Sequence, residues 1–241
     1  DVVIGSYSHS FSGIEHLIGS GQADVLTGDI NLNKIQGMGG DDELYGQEGG
    51  DYIYGGSETD GTNSGNDTIY SKEGDDRIYG GDGADELDGG LGKDTIYGDA
   101  GDDIIIFEQS DNKEDTVYGG DETTDDSEND TIDYTQAIKG MTINLAEGNN
   151  EGSATSQDQG TDKIYGIEHA KGSNIENDII TGNSDDNTLW GQGANDTLYG
   201  NSGADHLLGG DQDDILYGHN ETGTGDDSAI DSLEGGNGND T

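Results

Sequence analysis

Aspartate recurs every ninth residue through much of this sequence, and an aliphatic residue follows two places after it. Residues 80–106 read GGDGADELD, GGLGKDTIY, GDAGDDIII: Asp85, Asp94 and Asp103 stand sixth, Leu87, Ile96 and Ile105 eighth, and glycine first and fourth. The frame also covers 37–45, 46–54, 71–79, 191–199, 200–208 and 209–217, and returns at GGNGNDT (235–241). Carboxylates at this spacing are hard oxygen donors, and a glycine-rich turn can aim backbone carbonyls beside them. Calcium suits such a set, because it accepts six to eight oxygens in flexible geometry. Magnesium demands tight octahedral geometry and keeps its waters. Zinc would want His or Cys, but cysteine is absent and the five histidines are scattered.

The elements that position these carboxylates follow from the period. Each nonapeptide divides into a turn and a short strand such as Thr95-Ile96-Tyr97, whose eighth residue points inward while the seventh and ninth point outward. A helix cannot keep one residue in nine on a narrow seam, and Gly and Asp are poor helix formers. Two nonapeptides make one coil of two strands and two turns, so residues eighteen apart come into register. Ile78 should stack on Ile96, Leu87 on Ile105 and Leu198 on Leu216. The expected fold is all-β, a parallel β-roll whose core is a pair of aliphatic ladders.

Stacked coils also stack their aspartates a strand spacing apart, which is repulsive unless a cation lies between them. Composition makes the same point. Asp and Glu number 54 against 8 Lys and Arg, a formal charge of −46. Leu, Ile, Val and Phe together fall below the ~20% level that, with high net charge, marks a disordered chain. The charge excludes nucleic acid and anionic membrane surfaces as partners. No apolar run reaches the roughly 18–20 residues of a membrane span, and the acidic start is not a signal peptide.

The pattern G-G-x-G-x-D-x-U-x, complete over 80–97, resembles the calcium-binding nonapeptide of RTX proteins, which bacteria secrete by type I export. The resemblance implies a calcium-loaded β-roll with about one ion per turn, exported unfolded and folded outside the cell. It assigns the ligand role to the sixth-place carboxylates Asp24, Asp42, Asp51, Asp67, Asp76, Asp85, Asp94, Asp103, Asp115, Asp130, Asp178, Asp196, Asp205, Asp214, Asp231 and Asp240. Turn carbonyls near Gly80, Gly83, Gly89, Gly92, Gly98, Gly101, Gly200 and Gly203 complete the sites. Weak or empty sites are expected where Asn replaces Asp (Asn33, Asn187) or the fourth-place glycine is lost (Asp185, Gln212).

A longer repeat is superimposed. IEHLIGS (14–20) recurs as IEHAKGS (167–173), 153 residues later, and 28–46 aligns with 182–200 after one insertion. The chain begins and ends inside such a unit and reads as an excerpt of a tandem array. The expected organisation is the end of a preceding junction over 1–18, a first roll block over 19–133, a β-structured junction over 134–171, and a truncated second block over 172–241. Acidic inserts near 57–64, 121–128 and 219–229 should loop outward. Within the junction, 141–145 alternates as a strand, 147–160 reads as a polar loop, and 162–171 returns to extended structure.

Nine tyrosines and Trp190 hold the ninth place, facing outward. They should stack as ladders, with lateral self-association or saccharide contact as the sharper reading of that surface. His16 and His169 sit at equivalent points of the long repeat, which suits a structural hydrogen bond better than catalysis. No matched acid–base pair and no hydrolase, metalloprotease or P-loop motif is present, so no enzyme is expected. Two functions fit: a calcium-dependent structural segment of a large secreted or cell-surface protein, or the export and folding module of a type I-secreted enzyme or toxin.

Overall fold

The computed structural model describes residues 2–3, 8–10, 13–57, 65–107, 111–120, 128–146, 150–219 and 229–241. The inserts at 57–64, 121–128 and 219–229 lie, but for their end residues, outside the described residues. Every regular element among the described residues is a β-strand. The chain forms two compact units, residues 1–106 with 113–130, and residues 107–112 with 131–241.

In the first unit successive strands alternate between two sheets. One pairs Val2–Val3, His16–Ile18, Lys34–Gln36, Tyr52–Tyr54, Arg77–Asp82, Thr95–Ala100 and Thr116–Tyr118 in that order; the other pairs Ser8–Ser10, Val25–Thr27, Glu43–Glu48, Thr68–Glu73, Glu86–Asp88 and Ile104–Ile106. All of these pairings are parallel, and the register is eighteen residues in regular coils: Ile78 opposes Ile96 and Leu87 opposes Ile105. In the second unit Leu198 opposes Leu216 in the same way. The fold is the expected parallel β-roll.

The strands are this short because glycine and aspartate turns bound them on both sides. Their middle residue, the eighth of the repeat, is the core. Leu44, Ile53, Ile69, Ile78, Leu87, Ile105, Leu198 and Leu207 are fully buried, each contributing about 1.5–3 kcal/mol of apolar transfer. Leu233 departs from this pattern at 47% exposed, because its strand, Ser232–Asn237, ends its sheet and carries a neighbour on one side only.

The junction departs from the sequence reading at one point. The segment read as a polar loop contains a strand, Gly152–Ser156, which pairs antiparallel with Thr142–Asn144 and with Gly160–Tyr165, the latter falling mostly in the stretch read as extended. The turn into Gly160–Tyr165 is closed by Ser156, whose Oγ accepts the Gln159 N–H at 2.9 Å. Ala154 and Ile164 point inward and are buried. Beneath the hairpin, the buried Tyr134 hydroxyl donates to Asp162 Oδ2 at 2.8 Å, and the Tyr134 ring stacks on Phe107 at 4.4 Å.

The ninth-place rings face outward and stack in register. Tyr54, Tyr79, Tyr97 and Tyr118 form one column with centroid spacings of 4.8, 4.8 and 4.9 Å. The column is tight enough that Tyr97 is only 2% exposed. Its ring faces are thus occupied by each other. Lys34, Lys72, Arg77 and Lys171 bring their charges to 4.5–5.9 Å from the centres of the Tyr54, Tyr70, Tyr97 and Trp190 rings, so half of the eight basic residues lie against the aromatic ladders.

Candidate metal centre

Parallel coiling brings the sixth-place aspartates together in columns along the turn edges. In the first unit one column runs Asp24, Asp42, Asp67, Asp85, Asp103, Asp130, and the other runs Asn33, Asp51, Asp76, Asp94, Asp115. Each member's backbone N–H donates to Oδ1 of the next at 2.6–2.8 Å in both columns, as in Asp42 to Asp67 at 2.7 Å and Asp94 to Asp115 at 2.7 Å. The second unit repeats the arrangement through Asp178, Asp196, Asp214 and Asp240, and through Asn187, Asp205 and Asp231. All sixteen sequence-assigned aspartates stand in these columns. Asp85, Asp103 and Asp196 are buried, Asp231 is half-buried and Asp240 is exposed.

In the regular turns one oxygen of the carboxylate is thus engaged by the neighbouring coil and the second is not. At Asp24 and Asp178 the Oδ2 atom instead accepts the Ser20 and Ser173 N–H at 2.6 and 2.7 Å. Oδ2 of Asp42, Asp51, Asp67, Asp85, Asp196 and Asp214 is buried and accepts no hydrogen bond. It points toward the first-place glycine of its own turn, where the first-place carbonyl of the next coil also converges. A Cβ on Gly191 would lie 2.5 Å from Asp196 Oδ2 and 2.6 Å from the Gly209 carbonyl oxygen. Gly80 stands in the same relation to Asp85 Oδ2 and the Gly98 carbonyl, and Gly200 to Asp205 and the Gly218 carbonyl. The absent side chain leaves room for two oxygens that have no proton between them. Glycine is needed at the fourth place for a second reason: Gly83 has φ +138°, and a Cβ there would collide with the Gly65 carbonyl.

Burial in this setting opposes ionisation. Desolvation pushes the carboxyl groups of Asp42, Asp51 and Asp85 up to about 7 and that of Asp196 to about 8, and neighbouring carboxylates add to the rise. A buried anion left so is costly, and a cation relieves it. The donor set suits a hard cation, being all oxygen. No three His, Asp or Glu side chains converge among the described residues, so an ion here would draw most of its ligands from backbone carbonyls. The oxygen donors and glycine cradles fit calcium.

Lost glycines have unequal effects. Gln212 keeps the left-handed conformation at φ 81°, and Ala194 does so at 89°. The turn at Asp185 does not, and it is built differently.

A second column was not singled out from sequence. Fifth-place Asp or Asn side chains accept N–H donors from the following coil: Asp41 from Asn66, Asn66 from Ala84, Asn195 from Asp213, each at 2.9–3.1 Å. The two columns therefore pass hydrogen bonds in opposite directions. The frequent Asx at the fifth place carried the signal, but the stronger sixth-place period masked it. His169 Nδ1 accepts the Thr188 N–H at 3.0 Å, a structural contact.

A model of the RTX calcium-binding nonapeptide repeat, in four copies, matches residues 9–30, 33–61, 61–96, 80–114, 173–207 and 190–228. No curated protein matches the chain.

Proposed function

Because the chain belongs to the family of RTX calcium-binding nonapeptide repeats, we propose that it is a calcium-folded structural segment of a large secreted or cell-surface bacterial protein, such as an adhesin stalk, a surface layer or an extracellular filament. RTX repeats occur in secreted bacterial proteins, and their β-roll is a structural calcium-binding fold. The observation that carries the reading is the set of buried Oδ2 atoms of Asp42, Asp51, Asp67, Asp85, Asp196 and Asp214, which accept no hydrogen bond and face first-place carbonyls.

In this reading Asp42, Asp51, Asp67, Asp76, Asp85, Asp94, Asp103, Asp196, Asp205 and Asp214 hold the ions together with turn carbonyls, about one ion to a turn. Calcium supplies two positive charges per site. On the order of a dozen ions would offset roughly half of the net charge. The chain's own residues do the rest. The backbone N–H of the preceding coil fixes each carboxylate, and the glycines keep the cradle open. The eighth-place aliphatics hold successive turns at strand spacing. Extracellular modules bind calcium with Kd of about 10⁻⁴–10⁻³ M, so binding energy becomes folding energy only outside the cell. The 153-residue tandem unit supports a structural segment over a compact export-and-folding module, because length grows with each copy.

The test is far-UV circular dichroism with small-angle scattering on the metal-stripped chain, titrated with Ca²⁺ to about 10 mM and with Mg²⁺ as control. A cooperative coil-to-β transition with calcium alone is expected. Full β-structure in chelator, or an equal response to magnesium, would overturn the reading.

A further inference from the structure

Among the described residues, four turns in the columns are closed by a second-place N–H. In two, Ser20 and Ser173 donate to Asp24 and Asp178 Oδ2 at 2.6 and 2.7 Å; in the other two the acceptor is an asparagine, which also closes the far side. Asn33 and Asn187 hold the sixth place in turns 28–33 and 182–187. In regular turns the second-place residue is left-handed, as at Met38 (φ 87°) and Gln47 (φ 88°), and its N–H turns away from the carboxylate. Met38 donates to the Gly55 carbonyl at 2.9 Å. The second-place residues Asp29 and Asn183 are not left-handed. Their N–H groups turn inward and donate to Asn33 Oδ1 at 2.6 Å and Asn187 Oδ1 at 2.8 Å. The oxygen left bare in regular turns is satisfied here by the turn itself.

The other end of the side chain explains why it is an amide. In regular coils the group above the sixth-place side chain is an N–H, so a carboxylate accepts from it. Above these two lies the repeated Ile14–His16 and Ile167–His169 segment, which presents a carbonyl instead. Asn187 Nδ2 donates to the Glu168 carbonyl at 2.8 Å and to Asn183 Oδ1 at 2.8 Å, and Asn33 Nδ2 reaches the Ile14 carbonyl at 3.4 Å. A carboxylate there would set oxygen against oxygen. The amide NH₂ brings positive charge between oxygens, as an ion would.

We propose that turns 28–33 and 182–187 take no calcium. Asn33 and Asn187 fix the coil next to the junction segment without an ion and leave a preformed edge on which the calcium-requiring coils assemble. The inference rests on the calcium reading above and adds that restoring the consensus aspartate is harmful.

Crystals of the wild-type chain grown with a lanthanide replacing calcium would be read by anomalous scattering. Peaks at turns 37–42, 80–85 and 191–196, with none at 28–33 or 182–187, are expected. Peaks at the asparagine turns as well would overturn this inference alone, and no peaks at any turn would overturn the calcium reading beneath it. Equilibrium dialysis supplies a second arm. Asn33→Asp and Asn187→Asp should gain no bound calcium and should raise the calcium midpoint of folding by about threefold or more, as loss of a buried hydrogen bond requires. Asp85→Asn should lose an ion. An asparagine-to-aspartate variant that gains an ion and folds at lower calcium refutes the proposal. Where a variant fails to fold, the wild-type scattering decides.

Discussion

The backbone N–H of Asp67 donates to Oδ1 of Asp85 at 2.7 Å, and the N–H of Asp85 donates in turn to Asp103 at 2.7 Å. One side chain is therefore both a hydrogen-bond acceptor for its neighbouring coil and a candidate ion ligand. Substitution separates the two roles. Asp85→Ala strands a buried N–H, at a cost of about 1–3 kcal/mol, and also removes the charge. Asp85→Asn can keep the acceptor and loses only the charge. In a calcium titration followed by circular dichroism, both midpoints should rise, that of the alanine variant further. Equal midpoints for the two variants would show that the N–H contact contributes nothing.

Ile96→Ala opens a void in a fully packed ladder and should cost about 2–5 kcal/mol. Leu233→Ala, at a half-exposed position of the same repeat place, should stay within about 0.5 kcal/mol. Thermal unfolding in saturating calcium distinguishes them. Near-UV circular dichroism of the Tyr54–Tyr118 column should register the first and not the second.

Two fourth-place substitutions should act with opposite sign. Gly83→Ala forces a Cβ into the Gly65 carbonyl and should prevent local closure of the turn. Gln212→Gly relieves a left-handed glutamine at φ 81° and should stabilise by about 1 kcal/mol. The calcium midpoint measures both, and a neutral Gly83→Ala would contradict the packing described.

The raised carboxyl groups fix a pH dependence. Asp42, Asp51 and Asp85 titrate near 7 and Asp196 near 8 in the metal-free fold, against an ordinary value of about 3.9 unfolded. The fold therefore binds more protons than the coil between about pH 4 and 8. Their contribution to metal-free stability is full below pH 4 and is lost as pH rises through 7–8. Those protons favour the fold over the coil, which has already lost its own above pH 5, so the calcium needed to reach the folding midpoint should rise as pH rises from 5 to 8. Scattering in metal-stripped buffer and calcium titrations at each pH test both trends, and a midpoint that falls as pH rises would refute the assignment.

Much of the fold was legible because one inward residue in nine is a strong signal: Ile78 opposite Ile96 followed from the period alone. The hairpin over 152–165 was not, since the inward residue of its first strand is Ala154, too small to mark a strand among Ser, Thr and Gly. The column of sixth-place aspartates was legible as well. What could not be read was which turns leave an oxygen bare. That depends on the second-place φ, and Met38, Gln47 and Lys72 adopt left-handed values that favour glycine. Nor does the sequence reveal that Glu168 presents a carbonyl where other coils present an N–H. Backbone polarity decides that contact.

The eighteen-residue register also sets a mechanical grain. Hydrogen bonds between successive strands run along the direction of stacking, so tension applied that way unzips one strand pair at a time rather than shearing many together. Each regular coil that peels off would pay out about 60 Å of extended chain. Coils that span the first insert, where Asp42 pairs with Asp67 and Asp51 with Asp76 across 25 residues, would yield proportionally longer steps. Each unit is in this sense a ruled spring, releasing length in set increments under load and rewinding against the next intact rung when the load falls.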